Sequence, residues 1–130
     1  ITSYHYYFNF TVNGNTYKQR WTDADKIYME LIIRDLNSGK FQTVNWRFNG
    51  ADPDAVEALN LEDVYRMFNT GKIQELRLTC AQLLAAAKIK GFILSNNTTL
   101  GVDYLSEFDN QLSTLNDIPD ETIEAYYNSL

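Results

Sequence analysis

The sequence has few of the residues on which disulfide, metal and imidazole chemistry depend. Its 130 residues include one cysteine, Cys80, and one histidine, His5. A single cysteine excludes an internal disulfide framework and a cysteine-rich zinc module. A single histidine removes most metal and acid/base sites that are built on imidazole.

Long apolar runs are also missing. None approaches the roughly 18 residues of a membrane-spanning helix, so we expect no membrane partner and a cytoplasmic protein. Residues 1–10 are aromatic-rich but have no basic start, aliphatic centre or small-residue cleavage site. We therefore expect that this segment is not a retained signal peptide.

Motifs for enzyme chemistry are absent as well. The pairs Gly39-Lys40 and Gly71-Lys72 lack the further glycine and the hydroxyl residue of a phosphate-binding loop. No dinucleotide fingerprint follows a strand, and no nucleophile elbow of the Gly-x-Ser-x-Gly type occurs. Cys80 falls on the apolar side of a helical pattern, which favours a buried and unreactive thiol. We therefore expect that the protein is not an enzyme and that it has neither catalytic residues nor a cofactor.

One acidic cluster could hold a hard cation but has a simpler interpretation. Asp52 and Asp54 flank Pro53, and Glu57 follows one turn later. The spacing lacks the glycine and the final glutamate of a calcium loop. Acidic residues at the start of a helix stabilise its dipole, so we expect no metal site here.

What the sequence does contain predicts a single α+β domain over residues 1–130. The chain is 45% hydrophobic and 14% aromatic, which excludes a mainly disordered protein. Residues 4–12 alternate as a half-buried strand does, Asn13-Gly14 is a strong hairpin turn signal, and residues 15–21 return. A two-residue loop fixes the register, so Phe10 should pair with Tyr17, and Phe8 with Gln19.

A helix and a third strand should complete an N-terminal ββαβ sheet unit over residues 1–50. Thr22 and Asp25 form a short capping box at the start of the helix. Residues 40–48 alternate again and predict the strand. The helix should bury one apolar stripe against the hairpin; its residues are Ala24, Ile27, Tyr28, Leu31, Ile32 and Leu36.

Residues 51–130 should form a mostly helical part. We expect a short turn of helix at 54–59, a helix from Asn60 to Phe68, a break at 69–71 and a long helix over 72–90. Residues 92–94 suit a fourth strand or a buried connector. Two further helices should follow, one containing residues 105–115 and one opened by Pro119.

The charge of the chain is unevenly distributed. Residues 1–90 contain all 11 lysines and arginines and ten acids, whereas residues 91–130 contain seven acids and no basic residue. These acids are Asp103, Glu107, Asp109, Asp117, Asp120, Glu121 and Glu124. A segment with charge of one sign attracts basic partners and repels nucleic acid. The alternative interpretation is an acidic surface that only keeps the protein soluble.

We interpret the protein as a non-enzymatic, acidic protein-protein interaction module. Its contact surface would be the acidic C-terminal third together with Tyr126 and Tyr127, where carboxylates steer the encounter and aromatic rings anchor it. The form suits an inhibitor or immunity-type protein, or a phage accessory protein, that binds a basic, nucleic-acid-handling partner. The helix faces are broad enough for a homodimer.

Two alternatives remain. Basic residues and rings on the polar face of the sheet suit single-stranded nucleic acid, although the overall acidity of the chain opposes such binding; the residues are Tyr7, Lys18, Arg20, Phe41 and Arg47. The other alternative is a phage assembly chaperone or a small enzyme without a recognisable motif.

Overall fold

The computed structural model describes residues 6–48, 53–96 and 103–130, and it shows an α+β fold as the sequence predicts. The strand-strand-helix-strand order of the N-terminal part is confirmed. In chain order the elements are β1 (Tyr7–Val12), β2 (Asn15–Arg20), α1 (Asp23–Asn37), β3 (Val44–Arg47), β4 (Val56–Leu59), α2 (Leu61–Asn96), α3 (Tyr104–Leu115) and α4 (Asp120–Asn128).

The described chain forms two compact units, Ile1–Lys72 and Ile73–Leu130, each with its own apolar core. The first core is rich in aromatic side chains from both hairpins, and the second consists mainly of aliphatic side chains of α2, α3 and α4. That residues 1–130 act as one domain stays a prediction.

The β1–β2 hairpin has the predicted turn and the predicted register. Asn13 and Gly14 adopt φ angles of 52° and 80°, which a two-residue primed turn requires. Phe10 faces Tyr17, and Phe8 faces Gln19. The turn chemistry and the alternation therefore determine this element together.

The cap of α1 is confirmed, but four of the six residues of its predicted core stripe are exposed. Thr22 and Asp25 form the reciprocal capping box. The helix buries Met29, Ile32 and Leu36. The other residues of the predicted stripe are exposed: Ala24, and also Ile27, Tyr28 and Leu31 with relative accessibilities of 60%, 53% and 42%. Apolar residues extend around more of this helix than its neighbours in the first unit cover.

The third strand does not join the first hairpin, and residues 54–59 are not helical. β3 pairs antiparallel with β4, which gives two separate two-stranded sheets. Ala55 and Leu59 are buried while Val56 is exposed, so this short segment supplies the return strand of a second hairpin. A buried hydrogen bond from Trp46 Nε1 to Gln19 Oε1, 2.9 Å long, links the two hairpins.

The predicted break at 69–71 is wrong, because α2 continues through it and also through residues 92–94. Gly71 faces Trp21 instead of ending the helix. A Cβ atom built on Gly71 would lie 2.6 Å from Trp21 Cδ2 and closer still to two other ring atoms. The glycine is therefore present for close packing against an indole ring, a role that the sequence pattern does not distinguish from a helix stop.

By length and composition alone, α2 could cross a membrane over Leu61–Ser95. Core helices of globular proteins meet the same criterion, so the finding is weak evidence for a membrane span. The absence of a membrane partner accordingly stays a prediction.

The two C-terminal helices lie where the sequence places them. α3 buries Phe108 and Leu115, and α4 buries Ile123. Tyr126 is half-buried against the second core, whereas Tyr127 remains 37% exposed. The predicted apolar side of α4 is therefore buried at Ile123 and Tyr126 but not at Tyr127.

Replacing Gly71 with alanine should destabilise the protein, although alanine normally favours a helix by about 1 kcal/mol over glycine. We expect a loss of about 1–3 kcal/mol, because the added methyl group overlaps the Trp21 ring. The control is Gly91→Ala, where no atom lies within 4 Å of the added Cβ. Thermal and denaturant unfolding should show that Gly71→Ala lowers the free energy of unfolding and that Gly91→Ala leaves it unchanged or raises it. An equal increase in stability for both variants would contradict the packing role of Gly71.

Candidate functional site

The structure uses several of the seven acidic residues of the C-terminal third for its own stability. Asp103 is the N-cap of α3, and its Oδ1 accepts a hydrogen bond from the Leu105 amide at 3.0 Å. Its Oδ2 accepts a hydrogen bond from Ser106 Oγ at 2.7 Å. The bond from Ser106 lowers the pKa of Asp103 more than any other contact does. This carboxylate is a helix cap.

Glu107 is also engaged within the second unit. Its Oε1 lies 3.0 Å from Gln111 Nε2 and 3.1 Å from Lys88 Nζ. The hydrogen bonds from Gln111 and then from Lys88 lower the pKa of Glu107. A basic residue of α2 therefore neutralises one of the seven charges.

Asp120 is held by Arg77, which is a buried structural residue. The guanidinium group donates from Nε to the Leu115 carbonyl at 3.2 Å and from Nη2 to the Ile118 carbonyl at 2.6 Å. Its Nη2 also donates to Asp120 Oδ1. Arg77 thus satisfies carbonyls at the end of α3 and fixes the start of α4.

Three carboxylates remain exposed without an ion pair in the described part of the chain. They are Asp117, in the turn before α4, and Glu121 and Glu124 on α4. Asp109 is half-buried and takes part in an interaction of its own. Tyr127 lies three residues after Glu124 on the helix, so the two side chains are neighbours on its surface. We call Asp117, Glu121, Glu124 and Tyr127 the acidic patch.

The predicted nucleic-acid face is divided between two sheets. Tyr7 pairs across the first hairpin with Arg20, and Lys18 pairs with Asn9. Phe41 is half-buried against the first core, so it is not the exposed stacking ring that the alternation of residues 40–48 predicts. Arg47 lies on β3 in the other sheet. The expectation of one continuous basic and aromatic surface is wrong, because β3 pairs with β4.

Arg20 and Arg47 nevertheless line the same cleft, which is beside the N-terminal half of α1. Its volume is about 370 Å³. The remaining lining residues are Ala24, Asp25, Tyr28, Asn45 and Trp46. The centroids of the Tyr28 and Trp46 rings lie 5.3 Å apart at an interplanar angle of 36°. Sequence reasoning missed this cleft; its signal is the excess of apolar positions around α1.

Asp25 already accepts four hydrogen bonds from Arg20 and Thr22. Its carboxylate accepts from Arg20 Nε at 2.8 Å and Nη2 at 3.1 Å. It also accepts from the Thr22 amide at 2.9 Å and the Thr22 hydroxyl at 2.6 Å. Burial by itself would raise the pKa of Asp25, but the hydrogen bonds from Arg20 and Thr22 outweigh it and lower the pKa. The cleft therefore does not suit a cation.

Two other candidate residues, Cys80 and Glu57, have structural surroundings in the described part of the chain. Cys80 is fully buried, and its burial raises the pKa of the thiol. Glu57 accepts hydrogen bonds from Asn13, Asn15 and Tyr17 of the first hairpin. Residues 6–48, 53–96 and 103–130 contain no group of three His, Cys, Asp or Glu side chains that could hold a metal ion. His5 and Asp52 lie outside the described residues.

Comparison with known proteins gives no relative: no protein-family model, no curated protein and no solved structure matches the chain.

Replacing Arg77 with methionine should destabilise the second unit by about 1–3 kcal/mol, because carbonyl acceptors at the end of α3 lose their buried donor. The control is Lys88→Met, which removes the exposed ion pair to Glu107 and should cost less than about 1 kcal/mol. Denaturant unfolding followed by circular dichroism measures both. Equal losses of stability in the two variants would show that the hydrogen bonds of Arg77 stabilise the protein no more than an exposed ion pair does.

Replacing Asp25 with asparagine should cost roughly 1 kcal/mol at neutral pH, since it removes a charged cap and the partner of Arg20. Because folding lowers the pKa of Asp25 below its ordinary value of 3.8, the carboxylate stabilises the fold above that pH. This contribution is lost as the pH falls through the folded pKa. Thermal melts from pH 7 to pH 2 should therefore show that the melting temperatures of Asp25→Asn and the wild type converge in acid. The control Asp23→Asn, at a fully exposed carboxylate, should differ less from the wild type at every pH.

Proposed function

We propose that the protein is a non-enzymatic protein-binding module whose acidic patch contacts a basic protein. The observation that carries the proposal is the set of carboxylates at Asp117, Glu121 and Glu124, which are exposed and lack ion pairs in the described part of the chain. Carboxylates of the same segment that have structural partners, such as Asp120 and Glu107, do not contribute to this surface.

Charge alone steers an encounter, and an anchor is needed for a complex to persist. Tyr127 supplies a partly exposed ring beside Glu124. Tyr126 is half-buried in the second core, so it supports the helix and is not the anchor. Of the two tyrosines that the sequence offers, the outer one is the contact residue in this proposal.

The net charge of the chain is consistent with such a partner. The formal charge is −6, and the residues of the second unit carry most of it. A protein that handles nucleic acid presents a basic groove for phosphates, which carboxylates at comparable spacing can occupy. The proposal includes an inhibitor or immunity-type role in the cytoplasm.

The test compares two variants that have the same net charge. One carries Asp117→Asn, Glu121→Gln and Glu124→Gln, and the control carries Asp23→Asn, Glu30→Gln and Glu62→Gln in the first unit. Wild type and both variants are immobilised and exposed to an extract of the source cells, and the captured proteins are identified by mass spectrometry. We expect the wild type and the control to capture basic proteins. These proteins should be released as the salt concentration rises above about 0.15 M, where the Debye length has fallen to about 8 Å.

Loss of these proteins with the first variant alone supports the acidic patch. Capture of the same proteins by all three chains would show that the carboxylates only confer solubility. Replacing Tyr127 with alanine should then speed dissociation more than it slows association, because an aromatic anchor acts on the formed complex.

A further inference from the structure

The exposed side of α1 is an apolar surface that the first unit leaves uncovered. Ala24, Ile27, Tyr28 and Leu31 are spaced as neighbours on one helix face, and all four are exposed. We call these four residues the α1 stripe. The opposite side of the helix already supplies the core contacts, through Met29, Ile32 and Leu36.

A stripe at this spacing is the pattern of a helix face that becomes buried. Lysine, glutamate or glutamine would serve a solvent-facing helix equally well by propensity. Three large apolar side chains grouped on two turns therefore need a reason other than helix formation. Contiguous apolar surface of this kind marks interaction sites on folded proteins.

The α1 stripe leads directly into the cleft beside α1. Ala24 and Tyr28 belong to both, and the far wall of the cleft is formed by Asn45, Trp46 and Arg47 of β3. Arg20 is occupied by Asp25 through two hydrogen bonds. Arg47 is exposed and forms no ion pair with a described residue. The cleft thus offers one unmatched guanidinium group at the end of an apolar surface.

We propose that the α1 stripe and the cleft together bind a short acidic and apolar segment of a partner protein. Apolar side chains of the segment cover Ile27, Tyr28 and Leu31, and one carboxylate enters the cleft and pairs with Arg47. A guanidinium group matches a carboxylate by two parallel hydrogen bonds, which fixes the direction of the segment as well as its position.

The size of the surface favours a short segment over a second copy of the chain. Two helical turns span about 11 Å, which corresponds to a segment of similar length. A stable dimer buries at least about 1,200 Å² in total, and four side chains do not supply that area. The complex should accordingly be transient.

The charges of the surface favour a carboxylate segment over a nucleic acid. Binding of single strands needs several cations along a backbone path. Here one arginine is unmatched, which is enough to pair with one carboxylate but not to follow a phosphate backbone. Of the α1 stripe only Tyr28 offers an exposed ring on which a base could stack, since Ala24, Ile27 and Leu31 are aliphatic.

The test begins with selection from a library of random 12-residue peptides against the immobilised full chain. Enriched peptides are synthesised, and their binding to the chain in solution is measured by fluorescence anisotropy. We expect them to combine large apolar residues with Asp or Glu. The double variant Ile27→Ser, Leu31→Ser should weaken binding at least tenfold, and Arg47→Gln should weaken it about tenfold.

The pairing of Arg47 has its own measurement. Replacing the carboxylate of the peptide by the amide should weaken binding to the wild type but not further weaken binding to Arg47→Gln, as a double-mutant cycle requires for a direct contact. Arg34→Gln is the control for charge, and Leu83→Ser with Leu94→Ser is the control for exposed apolar residues elsewhere. Both controls should bind as the wild type does. Since Ile27 and Leu31 are exposed, their double variant should also melt at the wild-type temperature.

Four outcomes would overturn the proposal. They are a selection without enriched peptides, enriched peptides that lack acidic residues, peptides that bind the double variant as tightly as the wild type, and a melting temperature that falls sharply in the double variant. Sedimentation velocity that shows a dimer which the double variant dissolves would assign the surface to a second copy instead. Binding of a labelled oligothymidine that depends on Arg47 would assign it to nucleic acid.

Discussion

The packing of Trp21 against the backbone of α2 is the constraint on which the first unit depends. The indole ring lies at the junction of β2 and α1 and contacts Gly71 so closely that no side chain fits there. It also meets Phe8 of β1 and Phe68 of α2 edge to face, with centroid distances of 5.8 Å and 5.3 Å. The first hairpin and α2 therefore share one aromatic contact, which lies directly before the start of α1.

The second unit depends on a different kind of interaction. Arg77 is buried, and three oxygen atoms from the end of α3 and the start of α4 accept its hydrogen bonds. A buried guanidinium group is stable only when its donors are satisfied in this way. Its partner Asp120 is thereby removed from the acidic surface, so the geometry of the acidic patch follows from the packing of α3 and α4.

The sequence predicted those elements whose signals are local. Asn13-Gly14 and the alternation around it determine the first hairpin, and Thr22 with Asp25 determines the start of α1. The helices over 104–115 and 120–128 follow from their apolar spacing.

The errors concern choices that tertiary contacts make. Gly71 has the same local pattern whether it ends a helix or accommodates an indole ring. Residues 54–59 are too short for periodicity to separate a helical turn from a strand. The apolar side chains of α1 occupy two faces, and spacing alone does not show which one the hairpins cover. For the same reason the acidic segment could be located, but the partners of Asp103, Glu107 and Asp120 could not.

The hydrogen bonds between the two hairpins bear on how the chain folds during synthesis. Each hairpin forms from neighbouring residues, a process of microseconds in isolation. The contacts that join them are distant in sequence: Trp46 reaches back to Gln19, and Glu57 reaches back to Asn13 and Tyr17. The first hairpin can thus adopt its turn early, but Gln19 acquires its partner only after β3 has left the ribosome, and Asn13 and Tyr17 only after β4 has done so.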